Sequence, residues 1–237
     1  MTLDEIIRYL KSVVTSAAHK ANEVYRFTVN YGVKISDLRG IVKDHFPNGD
    51  ESLSILLSEV DSFETMFLSV LLEDPKKVTP ERITELAIKA KESSVVDQAL
   101  CDLIMKSGNT QKLIAEWFHH PDSNLRYAFY TLYAAHVRKS DLKEINTEFS
   151  LKVLDKVKES IKTEDVYIQN AMNNLVVMAG LHVPELVDKA YKVARYIGNV
   201  KPLRNTNDCN IQSAVVYLDR YIKDPKFSRV AKIRAQH

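Results

Sequence analysis

YIQNAMNNLVVMAG, residues Tyr167 to Gly180, decides the fold class. Its apolar residues Ile168, Ala171, Met172, Leu175 and Ala179 recur at the spacing of one helix face. At roughly 100° per residue, Asn170, Asn174 and Val177 fall on the opposite side, with Asn173 at its edge. Helix interiors disfavour asparagine, whose side chain competes for backbone groups. The stretch therefore predicts a helix with one core stripe and one amide face. That face is either a binding surface or a plain solvated one.

The same period recurs on both sides of it. Leu3, Ile6, Ile7, Leu10, Val13 and Val14 form one stripe, and Phe63, Met66, Phe67, Val70 and Leu71 another. Leu151, Leu154, Val157 and Ile161 follow, then Val187, Ala190, Tyr191, Ala194 and Ile197. No convincing alternating strand is present. Thr79-Pro80-Glu81 reads as an N-cap, a first helical residue and a first-turn acid. Ser94 and Asp97 stand in a capping-box-like relation. Pro184 opens a further helix, and Asp74-Pro75, Gly108, Gly180 and Gly198 read as stops.

With 6 Gly and 7 Pro in 237 residues and 45% hydrophobic residues, long helices are favoured over a loop-rich β fold or a disordered chain. About 11 to 13 helices joined by short loops are expected, as about six antiparallel pairs near 40 residues each. The fold expected is all-α, an α-solenoid of HEAT-like helix pairs forming a single domain over residues 1–237. Its concave face is the natural binding surface.

Two cysteines, Cys101 and Cys209, at no metal spacing point to a reducing compartment. The N-terminus MTLDEIIRYLKSVV holds acids and no long apolar core, so no secretory signal is read there. No run reaches about 18 apolar residues, so no membrane span is expected, and the location expected is cytoplasmic. Net charge is +2, but residues 183–237 hold 11 Lys plus Arg against 5 Asp plus Glu, and the remainder 22 against 26. A basic C-terminal end permits a polyanion partner; it also reads as a solvated tail. Its last part, 223–237, carries Lys223, Lys226, Arg229, Lys232 and Arg234, with Phe227, Val230 and Ile233 interleaved. It reads as a short docking helix or as a frayed end.

No phosphate-cradling glycine loop, metal-binding cluster or nucleophile elbow is present, so no cofactor and no metal are expected. His119-His120 before Pro121 reads as a polar turn. Cys101 lies among apolar neighbours and reads as an inert buried thiol.

Several segments resemble the AlkD-like family of HEAT-repeat DNA alkylation repair proteins. They are YGVKISDLRGIVKDH (Tyr31 to His45), EWFHHPDSNLRYAFYTL (Glu116 to Leu132), the opening stretch, and AYKVARYIGNVKPLRNTNDCNIQSAVVYLDRYI (Ala190 to Ile222). The last is similar to a tail in a divergent branch of that family. The resemblance covers most of the chain. It implies a HEAT-like superhelix and an activity, removal of cationic alkylated purines from DNA. Such a base is already a good leaving group, so a carboxylate beside the sugar and some positioning carry much of the catalysis.

The departures from the family pattern are as informative. The family's Trp-x-x-x-Asp pair falls at Val96 and Leu100. Asp97 and Asp102 lie nearby as displaced candidate carboxylates, Asp97 also reading as the capping-box acid. The second family tryptophan falls at Asn174. The family's arginine falls at Tyr127 without a gap and at Arg126 with one. Trp117 reads as a core anchor. Family enzymes use an early helix as a DNA-contacting element; here TSAAHKANEVYRFTVN reads as short, and its Phe-Thr-Val brings β-branched residues.

The resemblance therefore implies a divergent paralogue that binds double-stranded DNA weakly and has little or no glycosylase activity. The contacts it implies are Arg126, Asn170, Asn174, Lys201 and Arg204. One alternative is an active glycosylase using Asp97 or Asp102; a second is a HEAT scaffold with a protein partner.

Overall fold

The computed structural model describes residues 1–14, 26–203 and 211–236. Among these, thirteen helices, two short 3-10 turns and two isolated backbone bridges make up the regular structure, and no strand is present. The chain forms two compact units, Met1–Ala128 and Phe129–His237.

The first unit holds α1 (Leu3–Ser12), α2 (Ile35–His45), α3 (Glu51–Ser58), α4 (Phe63–Leu72) and α5 (Pro80–Lys89). There follow α6, residues 93–107, and α7 (Thr110–Trp117). The helix starts follow side-chain capping: Thr2, Asp50 and Thr79 each accept a backbone N–H of the first turn. Thr79-Pro80 caps α5 as its sequence predicts. Helix α4 is almost wholly buried, as a hydrophobic segment without a polar face must be.

A buried carboxylate fixes the entry to α2. Glu64, at 0% exposure, accepts the backbone N–H of Gly32 at 2.7 Å, of Val33 at 3.1 Å and of Tyr31 at 3.1 Å. The Ser62 hydroxyl adds a fourth donor at 3.1 Å. Gly32 stands at φ 73°, a left-handed value that turns its N–H toward the acid. Four donors offset the cost of burying the charge. A second polar group spans α3, α4 and α5: Ser54 donates to Glu73 at 2.6 Å, and Arg82 pairs with Glu73 at 2.8 Å.

The second unit holds most of α8 (Ser123–Lys139), a helix in which the boundary between the units falls. It continues with α9 (Thr147–Ser160), α10 (Val166–His182), α11 (Val187–Ile197), α12 (Ala214–Tyr221) and α13 (Arg229–Arg234). Pro184 opens a 3-10 turn, Pro184–Leu186, that leads into α11. Gly108 and Gly198, at φ 75° and 70°, end their helices.

Gly180 does not end one, contrary to its sequence reading, because α10 runs on to His182. It is a close-packing site instead. A Cβ there would lie 2.7 Å from Leu218 Cδ2 and 3.0 Å from Ala190 Cβ, so its bare backbone lets α11 and α12 approach α10.

The opening stretch forms α10, but not as a two-faced helix. Asn173, Val176 and Val177 are buried together with the predicted stripe, while Asn170, Asn174 and Met178 are half-buried. Elements pack around most of its circumference, which a wheel drawn from one segment does not reveal.

Candidate functional site

In the first unit the segment that matters is α6. It begins as α-helix (Ser93–Val95), passes through a π turn (Val96–Leu100) and resumes as α-helix (Cys101–Ser107). The Cys101 N–H reaches back to the Val96 carbonyl. A π turn adds one residue to the helical turn and rotates all that follows, and such turns recur at functional sites. Here it keeps Val95, Val96, Ala99 and Leu100 in the core while Asp97 and Gln98 face out. Arg39 braces the turn from α2, donating to the Gln98 carbonyl at 2.5 Å with its guanidinium over the Phe67 ring.

The predicted Ser94–Asp97 capping box is not formed. Glu92 is the N-cap residue, without a side-chain cap bond. The Asp97 carboxylate instead accepts the Tyr127 hydroxyl at 3.2 Å. Asp97 is exposed by surface area yet densely surrounded by protein atoms, a combination that a recessed position produces. Burial pushes its carboxyl up to about 6; the Tyr127 hydrogen bond opposes the rise and the charge of Glu92 adds to it. At neutral pH the group is largely ionised, so it offers a negative charge with a proton close at hand. Asp102 lies half-buried on the α-helical part that follows.

Tyr127 is buried at the start of α8, and Arg126 beside it is half-buried. The Arg126 guanidinium donates to the Pro121 carbonyl in the preceding turn. Trp117 is a core anchor, 1% exposed, its indole N–H donating to Thr84 at 3.3 Å. Cys101 is a buried free thiol. Among the described residues no group of three His, Cys, Asp or Glu is arranged to hold a metal ion, and no helix is long and apolar enough to cross a membrane.

In the second unit two asparagines of α10 fasten a chain segment. The Asn170 amide donates to the Val166 carbonyl at 2.7 Å and to the Lys201 carbonyl at 2.8 Å. Asn173, fully buried, donates to the Ile211 carbonyl at 2.6 Å. On the outer side of these anchors the backbone pairs with itself: Asn199 and Ser213 form an antiparallel bridge, and the Val200 N–H reaches the Gln212 carbonyl at 2.9 Å. The exposed Lys201 sits at the base of this segment, and Arg204 lies outside the described residues. Asn174 is half-buried one turn beyond Asn170.

Sequence reasoning missed the π turn, which has no compositional signature in SVVDQALC. It also missed the Asp97–Tyr127 pairing. By resemblance Tyr127 falls at the family's arginine position when no gap is allowed, but nothing in the sequence pairs it with Asp97.

The helical architecture has a solved counterpart. Over 97% of this chain and 98% of the other, it superposes with a TM-score of 0.82 and 16% identity on a member of a family of proteins related to the HEAT-like repeat DNA glycosylases, with affinity for branched DNA structures. The fold is thus that of a HEAT-like repeat solenoid. The chain belongs to the DNA alkylation repair enzyme family, whose model matches residues 6–204. Among similar proteins are the uncharacterized protein Lmo0209 of Listeria monocytogenes and the uncharacterized protein Lin0241 of Listeria innocua. They are 24% and 22% identical, each over 80% of this chain and 82% of its own length.

Proposed function

We propose that this protein binds DNA and carries out little or no excision of alkylated bases. The observation that carries the reading is the burial of Val96 and Leu100, at 1% and 0% exposure. By resemblance these stand where the family has its tryptophan and catalytic aspartate. Neither side chain can stack on a sugar or stabilise a cationic sugar, and both serve the core. Asn174 stands at the second tryptophan position and supplies an amide rather than an aromatic face.

DNA binding is supported by family membership and by the structural relative's affinity for branched DNA. Arg126, Lys201 and Arg204 are the proposed phosphate contacts, with Asn170, whose amide holds the Lys201 carbonyl, and Asn174 one turn beyond it. A titration of labelled four-way junction and linear duplex at several salt concentrations tests this. Affinity should fall with salt with a log–log slope of about −0.9 per phosphate contact on the duplex, and the junction should bind more tightly. Absence of binding at low salt, or salt-independent binding, contradicts it.

One observation favours a second reading. Asp97 is an open carboxylate, held by Tyr127 and elevated to about 6, in the segment where the family's catalytic acid belongs. An active glycosylase with Asp97 as the displaced carboxylate would lose at least about tenfold in rate on Asp97→Asn, roughly 1.4 kcal/mol in the barrier.

A further inference from the structure

The end of α8, the end of α10 and the short α13 bring a group of cations together in the second unit. Ser228, fully buried, donates its hydroxyl to the Leu181 carbonyl at 3.0 Å. That bond seats the next residue, Arg229, against α8, where Nη2 donates to the Arg138 carbonyl at 2.6 Å. The other terminal nitrogen, Nη1, is buried and has no hydrogen-bond partner. Arg138 and Lys232 are exposed, and His182 is half-buried. The charges acting on the His182 ring are those of Arg229, Arg138 and Lys232, all positive.

Among the described residues none of these three cations is paired with a carboxylate. Helix C-termini attract cations, and Arg229 does cap the last turn of α8. That role accounts for Nη2. It leaves Nη1 out of water without an acceptor, a costly state for a guanidinium N–H, and leaves the gathered charge without a counter-charge.

We propose that Arg229, Arg138 and Lys232, with His182 beside them, form an oxyanion site that takes a phosphate group. The guanidinium groups and the ammonium supply charge-assisted donors suited to phosphate oxygens, and an anion beside them supplies the counter-charge that the buried Arg229 guanidinium lacks. The phosphate is either a phosphodiester of a nucleic acid or a free phosphate. The inference needs an oxyanion, and it does not rest on the DNA reading above.

His182 is the reporter. Burial and the three cations hold its ring well below the usual imidazole range, at about 4, and an anion among those cations moves its titration upward. The experiment follows the His182 ring resonances of the full chain against pH in inorganic phosphate and in chloride at matched ionic strength, with His182→Gln for assignment. A saturable upward shift specific to phosphate is expected. Its affinity should weaken by about three- to tenfold in Arg138→Gln and in Lys232→Gln, two exposed side chains whose loss leaves the packing intact. Duplex DNA at low salt then separates the sources: the same shift identifies a phosphodiester, and no response beside a positive phosphate titration identifies free phosphate. No shift, an equal shift in chloride, or undiminished phosphate affinity in both variants overturns the site.

Discussion

The Tyr127 hydroxyl donates to the Asp97 carboxylate at 3.2 Å, joining the start of α8 to the π turn of α6. The bond favours the ionised form, while burial and Glu92 favour the protonated one. Tyr127→Phe removes the opposing influence. The Asp97 titration should then move above its value of about 6, as followed by carboxyl carbon resonances against pH. A downward or absent shift would show that the pair does not set the acid's proton affinity.

The same group makes stability depend on pH with a definite sign. Asp97 titrates at about 6 in the folded chain against 3.8 ordinarily, so its contribution is fully present below about 3.8 and is lost as pH rises through about 6. Asp97→Asn abolishes the ionisation. Relative to the native chain, the variant should gain stability between those values and hold a constant advantage above them. The plateau should be about 1 kcal/mol, because a carboxylate open to water feels only part of the burial penalty. Urea unfolding at pH 4 and pH 8 measures it, and an equal difference at both contradicts the assignment.

Glu64 should tolerate no change. Alanine leaves the N–H groups of Tyr31 and Val33 without their acceptor and that of Gly32 with Asn30 Oδ1 alone, and glutamine sets an amide donor against them. A loss of about 3–5 kcal/mol is expected for Glu64→Ala, with Glu64→Gln only partly better. Denaturant midpoints at an unchanged slope would show it; a loss under about 1 kcal/mol would mean that the acid is dispensable.

Gly180→Ala drives a methyl group against Leu218 and Ala190. The expected loss is about 1–3 kcal/mol, and combining it with Leu218→Ala should cost less than the sum of the two. Strict additivity would show that the contact is relieved by helix movement instead.

Asn170 and Asn173 should act through the segment they fasten. Replacing both with alanine removes the bonds to the Lys201 and Ile211 carbonyls, and exchange of the Val200 amide should quicken far more than that of core amides in α10. Uniform quickening would make the asparagines general core residues.

Much of the fold was legible because helix periodicity and capping are local. Most of the stripes of α1, α4, α9 and α11 and the Thr79-Pro80 start lie where spacing and side-chain chemistry put them, while Val13 and Val14 fall past the end of α1 and Val14 and Leu151 are exposed. The errors were nonlocal. Asn173 and Val177 are polar or off-stripe on a wheel yet buried, because neighbouring elements close around α10. Gly180 looked like a stop because its partner surfaces, Ala190 and Leu218, lie elsewhere in the chain. The candidate site was half legible. Asp97 was singled out both as a displaced candidate carboxylate and as a capping-box acid, and the capping box is not formed. The π turn that exposes it and the tyrosine that holds it depend on packing against α2 and α8.

Single-turnover base release from methylated duplex DNA, with folded protein in excess and a no-protein control, tests the central claim most directly. The account predicts release indistinguishable from spontaneous loss, under conditions where the same DNA is bound. Release well above control, falling by about tenfold or more in Asp97→Asn, would contradict it and make Asp97 the catalytic carboxylate of an active glycosylase.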